Sequence, residues 1–363
     1  MIKVVHVIPD LPPCGAEMVV ITYLRKFKED QKYQVTAISL SGNQHRLYET
    51  NAEKEGLNIK YLDQEIHNKG LIARIKQIVQ IHMALKAEKP DIIHIHLSIL
   101  WMVCLASWGL GVKGRFHTLH SDPEKTSYGI HIWIDRLCYS VFKVRPLCLN
   151  HEMADKANRL FHRHDVLVLT NGIELNKYQR NKRNEYRELF GFMDSDFVLG
   201  HVGRFNKVKN HKKILTVFQC LKRVRPQSKL LLVGEGELQE EVYRQAAHMG
   251  LIKDVVFTGA RSDVPEMMGM MDCFIFPSTF EGLGIVLIEA QASGLHCVIS
   301  NTIPAEAIVT QNVARLALDD SDEIWVQAIL NEQTFLQSHH LTLNDYDINH
   351  IIDVLKEYYA AVL

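Results

Sequence analysis

Short apolar runs rich in β-branched residues, each followed by a loop and then by a stretch of helical spacing, recur from residue 3 to residue 300 of this chain. The first run, residues 3–8, is β-branched at Val4, Val5, Val7 and Ile8 and stops at Pro9 and Pro12. The loop PPCGAE follows, and then a helical pattern over residues 16–27. Runs apolar at every position suit strands covered on both faces. Repetition of strand, loop and helix calls for a parallel sheet whose crossovers are helices. Residues 33–40, 59–62, 114–119, 144–149 and 166–169 read as further strands, with one more in DIIHIHLS after Pro90. Residues 71–87 read as a helix with Arg74, Lys76 and Lys86 on its polar side.

The grammar then starts again. Residues 197–202 lead to GRFNKVKNH, 229–233 to GEGE and 254–257 to TGARSDVPEMM, and the strands 273–276 and 296–300 flank a helix over 285–293. A chain of 363 residues exceeds one ordinary core. The expected organisation is therefore α/β, with two tandem Rossmann-like doubly wound domains facing a cleft. Their expected bounds are 1–170 and 171–345, followed by a C-terminal helix, 346–363, that packs back on the first domain. The charge-rich run NKRNEYRELFGFMDSD reads as the linker.

A formal net charge of −1 argues against a polyanion binder, so no nucleic-acid partner is expected. Residues 1–165 hold 22 Lys and Arg against 17 Asp and Glu, so the first half is mildly basic and the remainder mildly acidic. The seven cysteines lack CxxC pairs and read as buried thiols of a reducing compartment. MIKVVHVIPD enters a strand directly, without the pattern of a signal peptide. These features predict a cytoplasmic protein, with peripheral contact at the inner membrane face through the basic side of residues 71–87.

The stretch FIFPSTFEGLGIVLIEAQASG carries the chemistry. Glu281 and Glu289 stand eight residues apart around a turn containing Gly282 and Gly284, and a helix begins there. The amides of a helix start bind anions, glycine permits close approach, and carboxylates accept from hydroxyls. A sugar phosphate or nucleotide sugar satisfies all three. GEGE lacks the third glycine of a dinucleotide fingerprint, which excludes NAD.

The Glu-x7-Glu spacing in that stretch, with GRFNKVKNH, GEGE, FTGARSDVPEMM and TNGIE, closely resembles the retaining glycosyltransferases of family 4, which have the GT-B fold. SNTIPAEA and YDINHIIDVLKEYY are similar to segments of its bacterial exopolysaccharide and capsule enzymes. The resemblance implies that Glu289 holds the nucleotide ribose and Glu281 lies near the transferred sugar. It implies further that the backbone of Gly282, Leu283, Gly284, Ile285 and Val286 meets sugar hydroxyls and phosphate. Arg204 and Lys209, after Gly203, match the pair that grips the diphosphate, and Gly234 and Arg261 border the base. Gly15 marks the N-terminal glycine loop, where relatives carry Gly-Gly and this chain has Cys14 and Gly15. His120, in HTLHS, matches a histidine near the anomeric centre.

His94 and His96, two apart on one strand, raise metal binding. No third ligand is evident in the sequence, so core packing is favoured. The Asp-Ser-Asp triplets at 194–196 and 320–322 read as turns and caps. No metal or other cofactor is expected beyond a nucleotide-sugar cosubstrate, of which a UDP-sugar is favoured. The acceptor implied is a saccharide or lipid-linked hydroxyl. Two alternatives are a sugar-nucleotide 2-epimerase, which would turn over donor alone, and a noncatalytic sugar-nucleotide-binding partner of another transferase.

Overall fold

A computed structural model describes residues 1–11, 15–62, 70–331 and 342–363, without the side chains of Leu47, Tyr48 and Leu71. The proline–proline–cysteine part of the PPCGAE loop, Cys14 included, lies outside the described residues. The chain divides into two compact units, Met1–Gly172 with Ile348–Leu363, and Ile173–Asp347.

Among the described residues the first unit is built on seven parallel strands: β1 (Ile2–Ile8), β2 (Tyr33–Ser39), β3 (Ile59–Tyr61), β4 (Ile92–His96), β5 (Gly114–Leu119), β6 (Val144–Cys148) and β7 (Leu167–Val168). They lie in the order β3-β2-β1-β4-β5-β6-β7. The described residues of the second unit form six: β8 (Phe197–Val202), β9 (Ser228–Val233), β10 (Val255–Phe257), β11 (Cys273–Phe276), β12 (His296–Ser300) and β13 (Val313–Leu316). Their order, β10-β9-β8-β11-β12-β13, is parallel throughout and repeats the reversal of the first. In such sheets a ligand sits beyond the strand ends where the order reverses, here β1/β4 and β8/β11.

The fully buried strands follow from their composition: β4 is IIHIH and β11 is CFIF, both buried at every position. Val4, Phe27 and Phe116 pack against Ile351, Leu355 and Tyr359 of the C-terminal helix Ile348–Ala360, which thereby belongs to the first core. A Cβ on Gly114 would lie 2.3 Å from the Val362 side chain, so the chain end is seated against β5. Phe218, Leu230, Ile275 and Trp325 fill the second core.

Two expectations are corrected. The charge-rich run is no linker: Arg183–Leu189 is a helix of the second unit, and Arg183 and Arg187 both pair with Asp272, at 2.5 and 2.6 Å. A charge-rich composition suits a linker, but here two of the charges share a carboxylate that lies 85 positions beyond Arg187. The helix Leu71–Glu88 exists, but its outer side is not simply polar, because Ile72, Ile75, Val79 and Met83 are exposed. Gln77, Ile81 and Leu85 occupy the inward face instead. The Asp-Ser-Asp segments do serve as turns: Asp196 and Asp320 accept from the amides of Met193 and Ala317, and Ser321 precedes the helix Asp322–Leu330.

Candidate active site

In the second unit the loops after β8 and β11 are sewn together. The Thr279 amide donates to the Val208 carbonyl at 2.8 Å, and Asn210 Nδ2 donates to the Pro277 carbonyl at 3.2 Å. Between these ties Lys209 Nζ meets Glu281 Oε1 at 2.6 Å, with both side chains largely covered. The same ammonium stands 4.7 Å from the centre of the Phe276 ring, the last residue of β11. Gly203 makes room for it, since a Cβ there would lie 3.2 Å from Lys209 Cε.

Gly284, at φ +79°, precedes the helix Ile285–Ala292 in a left-handed conformation that glycine alone adopts without strain. The first amides of a helix have no acceptor within its own ladder; of these the Leu287 amide already donates to the Gly284 carbonyl at 2.8 Å. One turn on stands Glu289, whose Oε1 accepts from the Tyr178 hydroxyl at 2.7 Å. Burial lifts Glu289 to about 7, and the Tyr178 hydroxyl and the Lys209 charge counter only part of that.

The glycines of GEGE have a packing cause. A Cβ on Gly234, at φ +135°, would fall 2.2 Å from the Gly203 carbonyl oxygen, and one on Gly236 would fall 2.5 Å from that of Phe205. The β9 loop therefore lies directly against the loop carrying Arg204. Arg204 itself is exposed and reaches Glu237 at 3.4 Å. Arg261 is engaged locally: it holds Asp263 through Nε at 2.8 Å and Nη2 at 2.6 Å, and Tyr186 donates to the same carboxylate.

In the first unit Gly15 begins the helix Gly15–Lys28, with open space where a Cβ would stand. His120 follows β5. Its Nε2 is 3.0 Å from His96 Nδ1, and His96 Nε2 is 2.9 Å from His6 Nδ1. His6 on β1 pairs in register with His94 on β4, so a third imidazole does join His94 and His96, contrary to the sequence reading.

These rings are poorly disposed to share a metal. His6 and His96 face each other edge to edge at 2.9 Å, whereas two metal–nitrogen bonds of about 2.0–2.1 Å in line would separate them by about 4 Å. His94 stacks over His96 at 4.5 Å with planes 17° apart, so its in-plane lone pairs run alongside. Both its nitrogens already meet hydroxyls, of Tyr359 and Thr118 at 2.7 Å each. Burial lowers all of these imidazoles, His6 and His120 to about 3, and holds them neutral.

Five predicted positions thus converge in the second unit: Gly203, Lys209, Glu281, Gly284 and Glu289. Arg204, Gly234 and Arg261 lie on neighbouring loops, and His120 and Gly15 belong to the other unit. Tyr178 and His6 were missed, and no local pattern marks either one.

Comparison with known proteins accords with this geometry. Residues 13–177 match the model of Glycosyltransferase Family 4, and residues 182–331 that of Glycosyl transferases group 1. The Bacillus subtilis (strain 168) protein named "Putative glycosyltransferase EpsF" is 30% identical over 341 residues, 90% of this chain and 86% of its own. The Escherichia coli UDP-Gal:alpha-D-GlcNAc-diphosphoundecaprenol alpha-1,3-galactosyltransferase is 28% identical over 247 residues, 64% of each chain. The crystal structure of Anabaena Alr3699/HepE in complex with UDP and glucose superposes with a TM-score of 0.80 at 16% identity, covering 99% of this chain and 100% of that one. Two Rossmann-like units with this site define a glycosyltransferase of the GT-B architecture. The chain belongs to glycosyltransferase family 4.

Proposed function

We propose that this enzyme transfers a hexosyl or N-acetylhexosaminyl group from a UDP-sugar to a hydroxyl of a lipid-linked saccharide, with retention, in cytoplasmic assembly of an exopolysaccharide or capsule. The observation that carries the proposal is the contiguous set Lys209, Glu281, Gly284, Glu289 and Tyr178 at the β8/β11 reversal. The UDP complex of the Anabaena protein and the diphosphoundecaprenol acceptor named for the Escherichia coli relative support donor and acceptor class.

Ionised Glu289 accepts from the two ribose hydroxyls. Lys209 leaves Glu281 for the diphosphate, joined by Arg204, and together they stabilise charge growing on the departing nucleotide. Glu281, freed from Lys209, accepts from hydroxyls of the sugar, and the amides around Gly284 donate to sugar or phosphate oxygens. His120 is the proposed sugar-side group of the first unit. The acceptor attacks from the face the nucleotide leaves, and its proton passes to the leaving phosphate. No step needs a metal, because cationic side chains and helix-start amides supply the countercharge.

The test is a thermal-shift screen of nucleotide sugars followed by transfer assays with undecaprenyl-diphosphate-linked acceptors and product analysis. UDP-sugar binding with an α-linked product from an α-donor is expected. Inversion at the anomeric carbon would overturn retention, and epimerised donor without any acceptor would replace transfer altogether.

A further inference from the structure

Beside Lys209 lie two buried histidines with ring nitrogens that meet no partner among the described residues. His201, on β8, is fully buried, and its Nδ1 stands 2.9 Å from the Ile275 carbonyl of β11. A carbonyl oxygen only accepts, so Nδ1 carries the proton and Nε2 keeps a lone pair. No donor among the described residues meets that Nε2. His211, at the start of the helix His211–Val224, is buried as well, and both its ring nitrogens are without a partner. Its ring stacks on Phe205 at 4.1 Å with planes 17° apart, and stands edge-on to His201 at 5.0 Å. Burial, helped by the Lys209 charge, lowers His211 to about 4. Burial, then His211 and Lys209, hold His201 well below the usual histidine range. Both imidazoles are therefore neutral.

Gly203 joins these rings to the lysine. A Cβ there would lie 2.9 Å from His201 Nε2, 3.2 Å from Lys209 Cε and 3.3 Å from Lys209 Cδ. The lone pair and the end of the lysine stem thus share the space that a side chain at 203 would fill. The ammonium itself is turned to Glu281 Oε1, at 2.6 Å. Rotation about the last side-chain bonds moves Nζ alone, while the ties from Thr279 to Val208 and from Asn210 to Pro277 hold the loop on either side of Lys209.

We infer that His201 is a positioning residue for Lys209: when the ammonium leaves Glu281 for the donor diphosphate, His201 Nε2 accepts one of its three N–H groups and aims the other two at phosphate oxygens. This rests on the reading that a nucleotide diphosphate occupies the β8/β11 reversal. Exchanging an anionic partner for a neutral one is what such a step needs. A carboxylate would compete with the phosphates for the ammonium, whereas a neutral imidazole fixes its direction and leaves its charge to them. The Ile275 carbonyl sets the tautomer, and burial beside His211 keeps a second proton off the ring. A cationic His201 would have no lone pair and would repel the lysine.

The test is UDP binding by the full chain, measured by calorimetry without acceptor. His201→Phe keeps the stacking on Phe274, 6.1 Å away with planes 13° apart, but has no lone pair. It should weaken UDP binding about tenfold, as loss of one hydrogen bond to a charged group does. His201→Gln, which carries an acceptor oxygen of similar reach, should recover most of that loss. In a Lys209→Met background His201→Phe should change nothing further, whereas a purely structural role would cost the same tenfold there too. Nitrogen NMR of the histidine-labelled wild type adds a measurement that does not depend on how a variant folds. Saturating UDP should move the His201 Nε2 resonance, identified as the one absent from His201→Gln, upfield from the position of a free lone pair. Wild-type UDP binding with an unmoved Nε2, His201→Phe binding as wild type does, or an undiminished His201→Phe effect in the Lys209→Met background overturns the inference and leaves the donor reading standing. A wild type that binds no UDP removes the donor reading and the inference together.

Discussion

Folding and binding make opposite demands on Glu289. Its folded form titrates at about 7 because burial disfavours the carboxylate, against an ordinary value near 4.3 in an unfolded chain. The native state therefore holds the proton more tightly, and the group's contribution to stability falls as pH rises from about 4 to about 7. The ribose, by contrast, requires the anion. Nucleotide affinity should rise with pH through about 7 and level off above it, as measured by calorimetry across pH. Glu289→Gln should raise stability at pH 8 by about 1–3 kcal/mol, at 1.36 kcal/mol per pK unit, while UDP binding is lost. A variant that binds UDP as wild type does would sink the ribose role. For Lys209→Ala the expected change is a fall in kcat of about 10²–10³-fold, with a smaller loss of stability of about 1–3 kcal/mol, because its Nζ pairs with the largely covered Glu281 carboxylate at 2.6 Å and stands over Phe276. Glu281 and Glu289 were legible because their spacing is local, and Lys209 through the resemblance carried by GRFNKVKNH. Tyr178 and His6 were not, since each meets its partner across about a hundred positions, a distance only the sheet order spans.

At the scale of elements, the loops rather than the strands position the charges. The Gly203 carbonyl and the Gly234 backbone touch so closely that a methyl group between them must displace the Arg204 loop. Gly234→Ala should cost about 1–3 kcal/mol from strain and weaken UDP binding along with it. Gly259→Ala, also at positive φ but with open space around it, should cost less and spare the nucleotide. Urea unfolding combined with UDP titration compares the two, and equal effects on binding would detach GEGE from the site. Strand and helix alternation was legible because burial writes it in composition. Two surface assignments failed for one reason: periodicity reports which residues share a face, not what the face meets. The arginines of residues 183–187 meet Asp272, and the second face of the helix Leu71–Glu88 is exposed at Ile72, Ile75, Val79 and Met83.

For the whole molecule, the chain's last residues complete its first core. Ile351, Ile352, Leu355 and Tyr359 are buried among residues of β1, β4 and β5 and of the helix Gly15–Lys28, and Lys356 pairs with Asp30 at 2.8 Å. A Cβ on Gly172 would approach Ile348 Cα to 2.8 Å, so the crossing from one unit to the next and the return lie against each other within the first unit. The amphipathic character of this helix is plain in the sequence, but its fit to Gly114 and Gly172 is not, because glycine records a close approach without naming what approaches. Leu355→Ala should destabilise the first unit by about 2–5 kcal/mol. Tyr359→Phe leaves His94 Nδ1 without its hydroxyl and should cost about 1–3 kcal/mol. Truncation after Asp347 should go further and expose the Val4, Phe27 and Phe116 face. Hydrogen exchange followed by mass spectrometry distinguishes the units where a single melting temperature would blend them. Amides of β1, β4 and β5 should lose protection in the truncated chain while those of β8, β9 and β11 keep theirs. Retained protection in β1 would mean that the first core stands without the helix. Loss in both units alike would mean that they fold as one.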